Sequence, residues 1–295
     1  MRVGFIGCVD SSQVALEALL TVDSIEVCAV ITRDASAVNA DFCDLSGICV
    51  QHGIPFHYEN PKERDDSTAF FRQYDLDAIF CVGWSYLLNK DMLELTRVGV
   101  IGFHPAKLPE NRGRHPIIWA LALGLEETAS TFFLMDEGAD SGPIVSQRRL
   151  SITAEDDANS LYAKILGEVR EQIVEIGIAL GAGTLEAKPQ DYSKATYWRK
   201  RSRKDGTIDF RMQADSIHNL IRALVEPYPG AELVFREQHI VVQKSAVDSN
   251  TFAKNIEPGK VLAKQGSSLL VKTGGEQAIW LYGIEVEDIK VGEFL

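Results

Sequence analysis

The sequence has no CxxC spacing, no GxGxxG loop, no long apolar run and no surplus of basic residues. Its five cysteines, Cys8, Cys28, Cys43, Cys49 and Cys81, are an odd number without the paired spacing of a disulfide framework or a zinc site. They read as buried, inert thiols. No apolar stretch approaches the roughly 18 residues that span a bilayer, and the start, Met1 to Gly7, reads as a strand rather than a signal peptide. The expectation is a cytoplasmic protein with no membrane partner. Lys and Arg number 30 against 42 Asp and Glu, a net charge of -12. That balance disfavours nucleic acid as a partner, because neutralising phosphates takes clustered cations. Gly7 to Ser12 could pass for a dinucleotide loop but lacks the glycine spacing, so a nicotinamide cofactor is not expected. Internal repeats and low-complexity tracts are missing too.

What is present is an ordinary globular composition, 45% hydrophobic and 24% charged, in 295 residues, which favours two domains over one. The first half alternates strand-like and helix-like segments. Arg2 to Ile6, Val27 to Thr32, Ala78 to Val82, Gly99 to Phe103 and Thr131 to Met135 are short apolar runs that read as strands. Ser12 to Leu20, behind the capping candidates Asp10 and Ser11, reads as a helix, as do Leu45 to His52 and Lys90 to Leu95. Apolar positions Leu161, Ile165, Val169, Ile173 and Ile176 recur at helical spacing, predicting a long helix over Ala154 to Leu180, ended by Gly181 to Gly183. The pattern is a Rossmann-like, largely parallel sheet flanked by helices. A polar, basic stretch follows, then one helix (Ser216 to Leu224) and short strands at Glu232 to Phe235, Ile240 to Gln243, Lys260 to Ala263, Leu269 to Lys272 and Ala278 to Tyr282. These suit a small OB-like β-barrel. The division expected is residues 1–188, a linker at 189–204, and a β-rich domain at 205–295.

Ligands of parallel α/β sheets bind beyond the carboxyl ends of the strands. Polar residues there are the candidates. His104 follows a strand on a proline-bounded loop, suited to a general base near neutral pH, or to a histidine packed at the domain surface. Asp140 lies in a glycine-rich turn, where it either pairs with His104, fixing its tautomer, or simply forms the turn. Ser11 and Ser12 open a helix, as phosphate ligands or as plain N-caps.

The run Gly99 Val100 Ile101 Gly102 Phe103 His104 Pro105 Ala106 Lys107 Leu108 Pro109, with Arg112 Gly113 Arg114 and Pro116, resembles the central signature of formyltransferases that use 10-formyltetrahydrofolate. That family contains methionyl-tRNA formyltransferase and the sugar N-formyltransferases of bacterial surface-glycan pathways. Met135 Asp136 Glu137 Gly138 Ala139 Asp140 Ser141 Gly142 Pro143 Ile144 resembles its second signature. Asp205 to Phe210 and Ile221 to Ala231 resemble the approach to its small C-terminal barrel. The resemblance implies that His104 and Asp140 are catalytic. It places the folate site at Trp84, Tyr86, Leu87, Leu88, Arg114, Asp136, Gly138 and Asp140, with no metal. One departure stands out: the family's Asn, which holds the formyl oxygen, is Gly102 here.

The family's tRNA-binding member carries a long basic loop after the second strand. Arg33 to Asp41 is short and nearly balanced in charge, which together with the acidic total turns the reading toward a nucleotide-linked amino sugar. Ser11, Ser12, Lys107, Tyr197, Arg199 and Arg201 are the expected substrate contacts, although the basic run from Arg199 to Lys204 also reads as a solvated linker. The alternatives are a methionyl-tRNA formyltransferase, a hydrolase that releases formate, and a noncatalytic folate or nucleotide-sugar binding protein. A homodimer is compatible with all of these.

Overall fold

The computed structural model describes residues 1–36, 40–60, 65–286 and 288–295. Ala37, Val38 and Asn39, within the short stretch read as replacing a basic loop, lie outside the described residues. The chain divides into two compact units: residues 1–116, 128–150 and 163–198, and residues 117–127, 151–162 and 199–295.

The strands and helices of the first part are β1 (Arg2–Ile6), α1 (Asp10–Leu19), β2 (Glu26–Thr32), α2 (Ser46–His52), β3 (Phe56–Tyr58), α3 (Asp65–Phe71), β4 (Ala78–Cys81), α4 (Lys90–Leu93), β5 (Val100–His104), β6 (Arg112–Gly113), α5 (Pro116–Ala122), β7 (Glu127–Leu134), β8 (Ile144–Ser151), α6 (Ala158–Ala182) and β9 (Tyr197–Trp198). Seven of the strands form one sheet in the order β3-β2-β1-β4-β5-β7-β8. The first five run parallel, and β7 pairs antiparallel with β5, His104 facing Thr131 and Gly102 facing Phe133. The order reverses between β1 and β4, which opens a crevice at the strands' carboxyl ends. Strands β1, β2, β4 and β5 are largely buried apolar runs, as central parallel strands covered on both faces are. Ile6, Ile31, Ile79, Cys81 and Val100 pack with Phe71 and Met92 of α3 and α4 on one face.

The long helix appears as α6, and Leu161, Ile165, Val169, Ile173 and Ile176 are all buried, as their spacing predicts. It starts four residues later than expected because Asp157 and Ser160 form a reciprocal cap, Ser160 N to Asp157 Oδ1 at 2.9 Å and Asp157 N to Ser160 Oγ at 3.0 Å. Helix α1 also departs from its expected start. Val9, not Asp10 or Ser11, holds the N-cap position, and its N–H is satisfied from within the helix by Ser12 Oγ at 3.1 Å. No described helix is long and apolar enough to cross a membrane.

The second unit contains α7 (Ala214–Arg222), the hairpin β10 (Ala231–Phe235) and β11 (Gln238–Val242), and β12 (Lys244–Val247), β13 (Val261–Gln265), β14 (Ser268–Lys272) and β15 (Ala278–Tyr282). The last four form an antiparallel sheet in the order β12-β15-β14-β13. The expected β-rich domain is thus present, its ladder bonds falling into a hairpin and a four-stranded sheet. Ile217, Leu220 and Ile221 turn the apolar face of α7 into this unit's core, with Leu233, Val242, Val271, Ile279 and Leu281.

Candidate active site

Strand β5 carries Gly102 and His104 on one face, since side chains alternate along a strand. His104 is only 5% exposed. Its Nε2 lies 2.9 Å from the backbone oxygen of Asn111. A carbonyl can only accept, so the neutral ring carries its proton on Nε2 and presents a bare Nδ1. That Nδ1 faces Asp140 Oδ2 at 3.7 Å, too far for a direct hydrogen bond. The sequence suggests Asp140 as the group that fixes the histidine's tautomer; the Asn111 carbonyl does so instead. Asp140 is left with its carboxylate facing the ring nitrogen that carries no proton.

The loops around the pair are held by hydrogen bonds. Gln147 Nε2 donates to the Leu108 carbonyl at 2.9 Å and Thr131 Oγ1 to the Ala106 carbonyl at 2.7 Å, pinning the loop after β5 onto β7 and β8. Asp140 adopts a left-handed conformation, φ 53°, which Asp and Asn tolerate better than most residues. Its carboxylate accepts from Gly113 N at 2.8 Å. Asp136 Oδ1 accepts from Gly138 N at 3.0 Å and Ser141 Oγ at 2.6 Å, closing the turn. Gly142 is required next: a Cβ there would collide with the Leu134 carbonyl oxygen.

Arg112 was legible as part of a motif but not as part of a site. Its side chain is wholly buried. Nε and Nη2 donate to Gln190 Oε1 at 3.2 and 2.7 Å, and Nη1 donates to Tyr197 Oη at 2.8 Å. The guanidinium also lies 4.9 and 5.6 Å from the ring centroids of Tyr192 and Tyr197. Gln190 in turn donates to the carbonyls of Asp140 and Gly142, at 2.9 and 2.7 Å. Tyr192 Oη donates to the Ser141 carbonyl at 3.1 Å.

Of the residues expected to hold folate, Trp84, Tyr86, Leu87 and Leu88 follow β4, and Asp136, Gly138 and Asp140 follow β7. Trp84, Leu87 and Leu88 line a cavity of about 130 Å³ with Glu59, Ser67 and Met92. Tyr86 stands edge-on to Trp84, ring centroids 6.1 Å apart, beneath the Arg33 guanidinium at 5.2 Å. Arg114 ties this segment to the active-site loop, its Nη1 donating to the Ser85 carbonyl at 2.7 Å.

The expected substrate contacts are divided between the two units. Ser12 Oγ is buried and donates to the Val82 carbonyl at 2.6 Å, so that hydroxyl is consumed inside the fold. Ser11 is buried beside it at the start of α1. Lys107 Nζ lies 3.8 Å from Glu110 Oε2, and Tyr197 serves Arg112. Arg199 and Arg201 belong to the second unit, where both guanidiniums lie against Trp119, at 5.4 and 4.6 Å. Arg199 pairs with Asp205, holding that carboxyl well below the usual carboxylate range, while burial pulls Arg201 down from its ordinary value.

Gly102 stands where the resemblance to the formyltransferase signature leads to the expectation of an asparagine. An ideal Cβ there would stand 2.6 Å from Met135 Cγ, 2.9 Å from Met135 Sδ and 3.2 Å from Phe133 Cζ. Met135 fills the slot. Gly102 itself sits inside the sheet between Cys81 and Phe133, its backbone committed to the ladders on either side. Among the described residues no group of three or more His, Cys, Asp or Glu could hold a metal ion.

The fold is shared with a sugar 3N-formyl transferase, WlaRD, solved in the presence of dTDP and 5-N-formyl-THF (14% identity, 97% of this chain and 98% of that one, TM-score 0.73). It is shared equally with an N-formyltransferase from Helicobacter canadensis in complex with folinic acid and dTDP-3-aminofucose (16% identity, 96% and 99%, TM-score 0.72). HypX from Aquifex aeolicus, with tetrahydrofolic acid, matches over 95% of this chain and 43% of its own length, at 15% identity and TM-score 0.65. The formyl transferase family model matches residues 2–176 and the model of the family's C-terminal domain matches residues 200–293. A histidine with an open Nδ1 and a carboxylate facing it, in a chain matched over residues 2–176 and 200–293, establish that this protein belongs to the formyl transferase family.

Proposed function

We propose that the protein transfers the formyl group of 10-formyltetrahydrofolate to the amine of a nucleotide-linked amino sugar. The observation that carries the chemistry is the bare His104 Nδ1 held 3.7 Å from Asp140 Oδ2. The acceptor is supported by the near-complete match to two enzymes whose structures were solved with dTDP or a dTDP-amino sugar, and by an acidic chain with no long basic segment after β2.

The folate supplies an activated formyl carbon. The neutral amine attacks that carbon, and the proton it sheds passes to His104 Nδ1. Asp140, ionised and 20% exposed at its side chain, stabilises the imidazolium so formed. The C–N bond to the folate then breaks, and the same proton leaves with the folate nitrogen, so the histidine ends neutral. The Trp84 to Leu88 segment and Asp136 are the residues proposed to hold the donor, with Arg114 fixing the segment's position. We place the protein in the cytoplasm, in surface-glycan synthesis, with residues 1–188 as catalytic domain, 189–204 as linker and 205–295 as the β-rich domain. Purified protein should consume the donor when offered nucleotide-linked amino sugars and should not formylate methionyl-tRNA. Efficient formylation of the tRNA would remove the amino-sugar reading.

Gly102 bears on the same site. With Met135 in its slot, Gly102→Asn overpacks the strand end, a kind of change that costs about 1 to 3 kcal/mol. The expected result is a lower melting temperature and turnover down by about tenfold, with both recovered when Met135→Ala is added. A Gly102→Asn protein more active than its parent would show that the slot is open and that the natural chain is a weakened enzyme.

A further inference from the structure

A buried guanidinium needs a counterion or a full set of acceptors, because an unsatisfied charge in the interior is costly. Among the described residues Arg112 has no carboxylate within ion-pair reach; its acceptors are one amide oxygen, one phenol oxygen and two aromatic faces. This decides the orientation of Gln190. Arginine can only donate, so Oε1 of Gln190 must face Arg112, and its NH2 group must face the carbonyls of Asp140 and Gly142. Two donors meet two acceptors, and Tyr192 Oη holds the Ser141 carbonyl between them. Three successive carbonyls of the turn are therefore gripped by side chains that Arg112 orients or stacks against.

The grip has a purpose in this turn. Asp140 sits at φ 53°, a conformation that persists in a non-glycine residue where the surroundings over-determine it. Its main chain is fixed through Gln190, and its carboxylate through the N–H of Gly113, the residue directly after Arg112. We propose that Arg112 and Gln190 are positioning residues: the buried guanidinium fixes the Gln190 amide, which holds the 140–142 turn and sets the stance of the Asp140 carboxylate toward His104. The proposal rests on the reading that Asp140 serves the transfer.

The test is Gln190→Glu, which keeps the side chain's shape and gives Arg112 a carboxylate, but sets an oxygen against the two carbonyls. Formyl transfer should lose about tenfold to a hundredfold in kcat, the scale of a small misplacement of a catalytic group, with KM for both substrates within about threefold. In the Asp140→Asn background the same change should cost less than about twofold further, because the carboxylate it served is gone. Tyr192→Phe, which keeps the exposed ring against Arg112 and removes only the hydroxyl, should show the same dependence with a smaller loss of about threefold. A crystal structure of Gln190→Glu should show the 3.7 Å spacing of His104 Nδ1 and Asp140 Oδ2 altered. Equal losses in both backgrounds, or a variant structure with Asp140 unmoved, would overturn the proposal. A parent protein that transfers no formyl group to an amino sugar is a separate result: it removes the acceptor reading, and the variant's structure still decides the positioning claim.

Discussion

His104→Gln should lower formyl transfer by about a thousandfold, the range lost when a general base is removed, while the protein stays folded. Glutamine is chosen for its reach. Its terminal amide can occupy the place of the imidazole Nε2 and still donate to the Asn111 carbonyl, which His104 contacts at 2.9 Å. What it lacks is a basic nitrogen facing Asp140. A thousandfold loss corresponds to about 4 kcal/mol in the transition state, whereas the hydrogen bond retained or lost at Asn111 changes stability by about 1 kcal/mol. Activity and folding are thereby separated: turnover should collapse while the melting temperature moves by a few degrees. A variant that keeps a tenth or more of parental turnover would take His104 out of the proton transfer.

Asp140→Asn should cost about a hundredfold in kcat. Asparagine tolerates the left-handed backbone that Asp140 adopts at φ 53°, and its carbonyl oxygen can accept from Gly113 N as the carboxylate does at 2.8 Å. The change is therefore one of charge. The imidazolium that forms when His104 takes the amine's proton loses its counterion, in a site where the histidine is only 5% exposed and solvent screens little. Substrate binding should change much less than kcat, since the interaction matters when the proton has moved. A rise in KM with kcat unchanged would instead assign Asp140 to holding the donor.

Where the sequence was informative, a local physical signal was strong. The buried strands β1, β2, β4 and β5 are short continuous apolar runs, and the period of α6 is carried by five residues that the structure buries. His104 and Asp140 were legible because strand ends are where parallel sheets place ligands. Other features depended on contacts between distant residues. Strand β8 reads as polar because Arg148 points at Glu168, Glu171 and Glu175 of α6 and Ser146 receives a bond from the buried Gln172, so carboxylates and an amide cover it instead of a core. Arg112 and Gln190, 78 residues apart, give no sign in the chain that one is buried to orient the other. Tyr197, expected at the substrate, proves to have its hydroxyl on Arg112. Ser12, expected at a phosphate, has its hydroxyl on the Val82 carbonyl. Ser12 is buried with its hydroxyl committed to the fold, whereas the ring of Tyr197 is exposed while its hydroxyl accepts from Arg112. Gly102 was visible as a departure, but that Met135 fills the vacated space follows only from the pairing of β5 with β7.

The most direct test of the account follows the formyl carbon itself. Donor carrying an isotopically labelled formyl carbon is incubated with a nucleotide-linked amino sugar and either the parent protein or His104→Gln. The account predicts label in the amide of the sugar product with the parent, at a rate proportional to enzyme, and label retained in the folate with the variant. Label released as formate without amide, or amide formed at equal rates by both proteins, would contradict it.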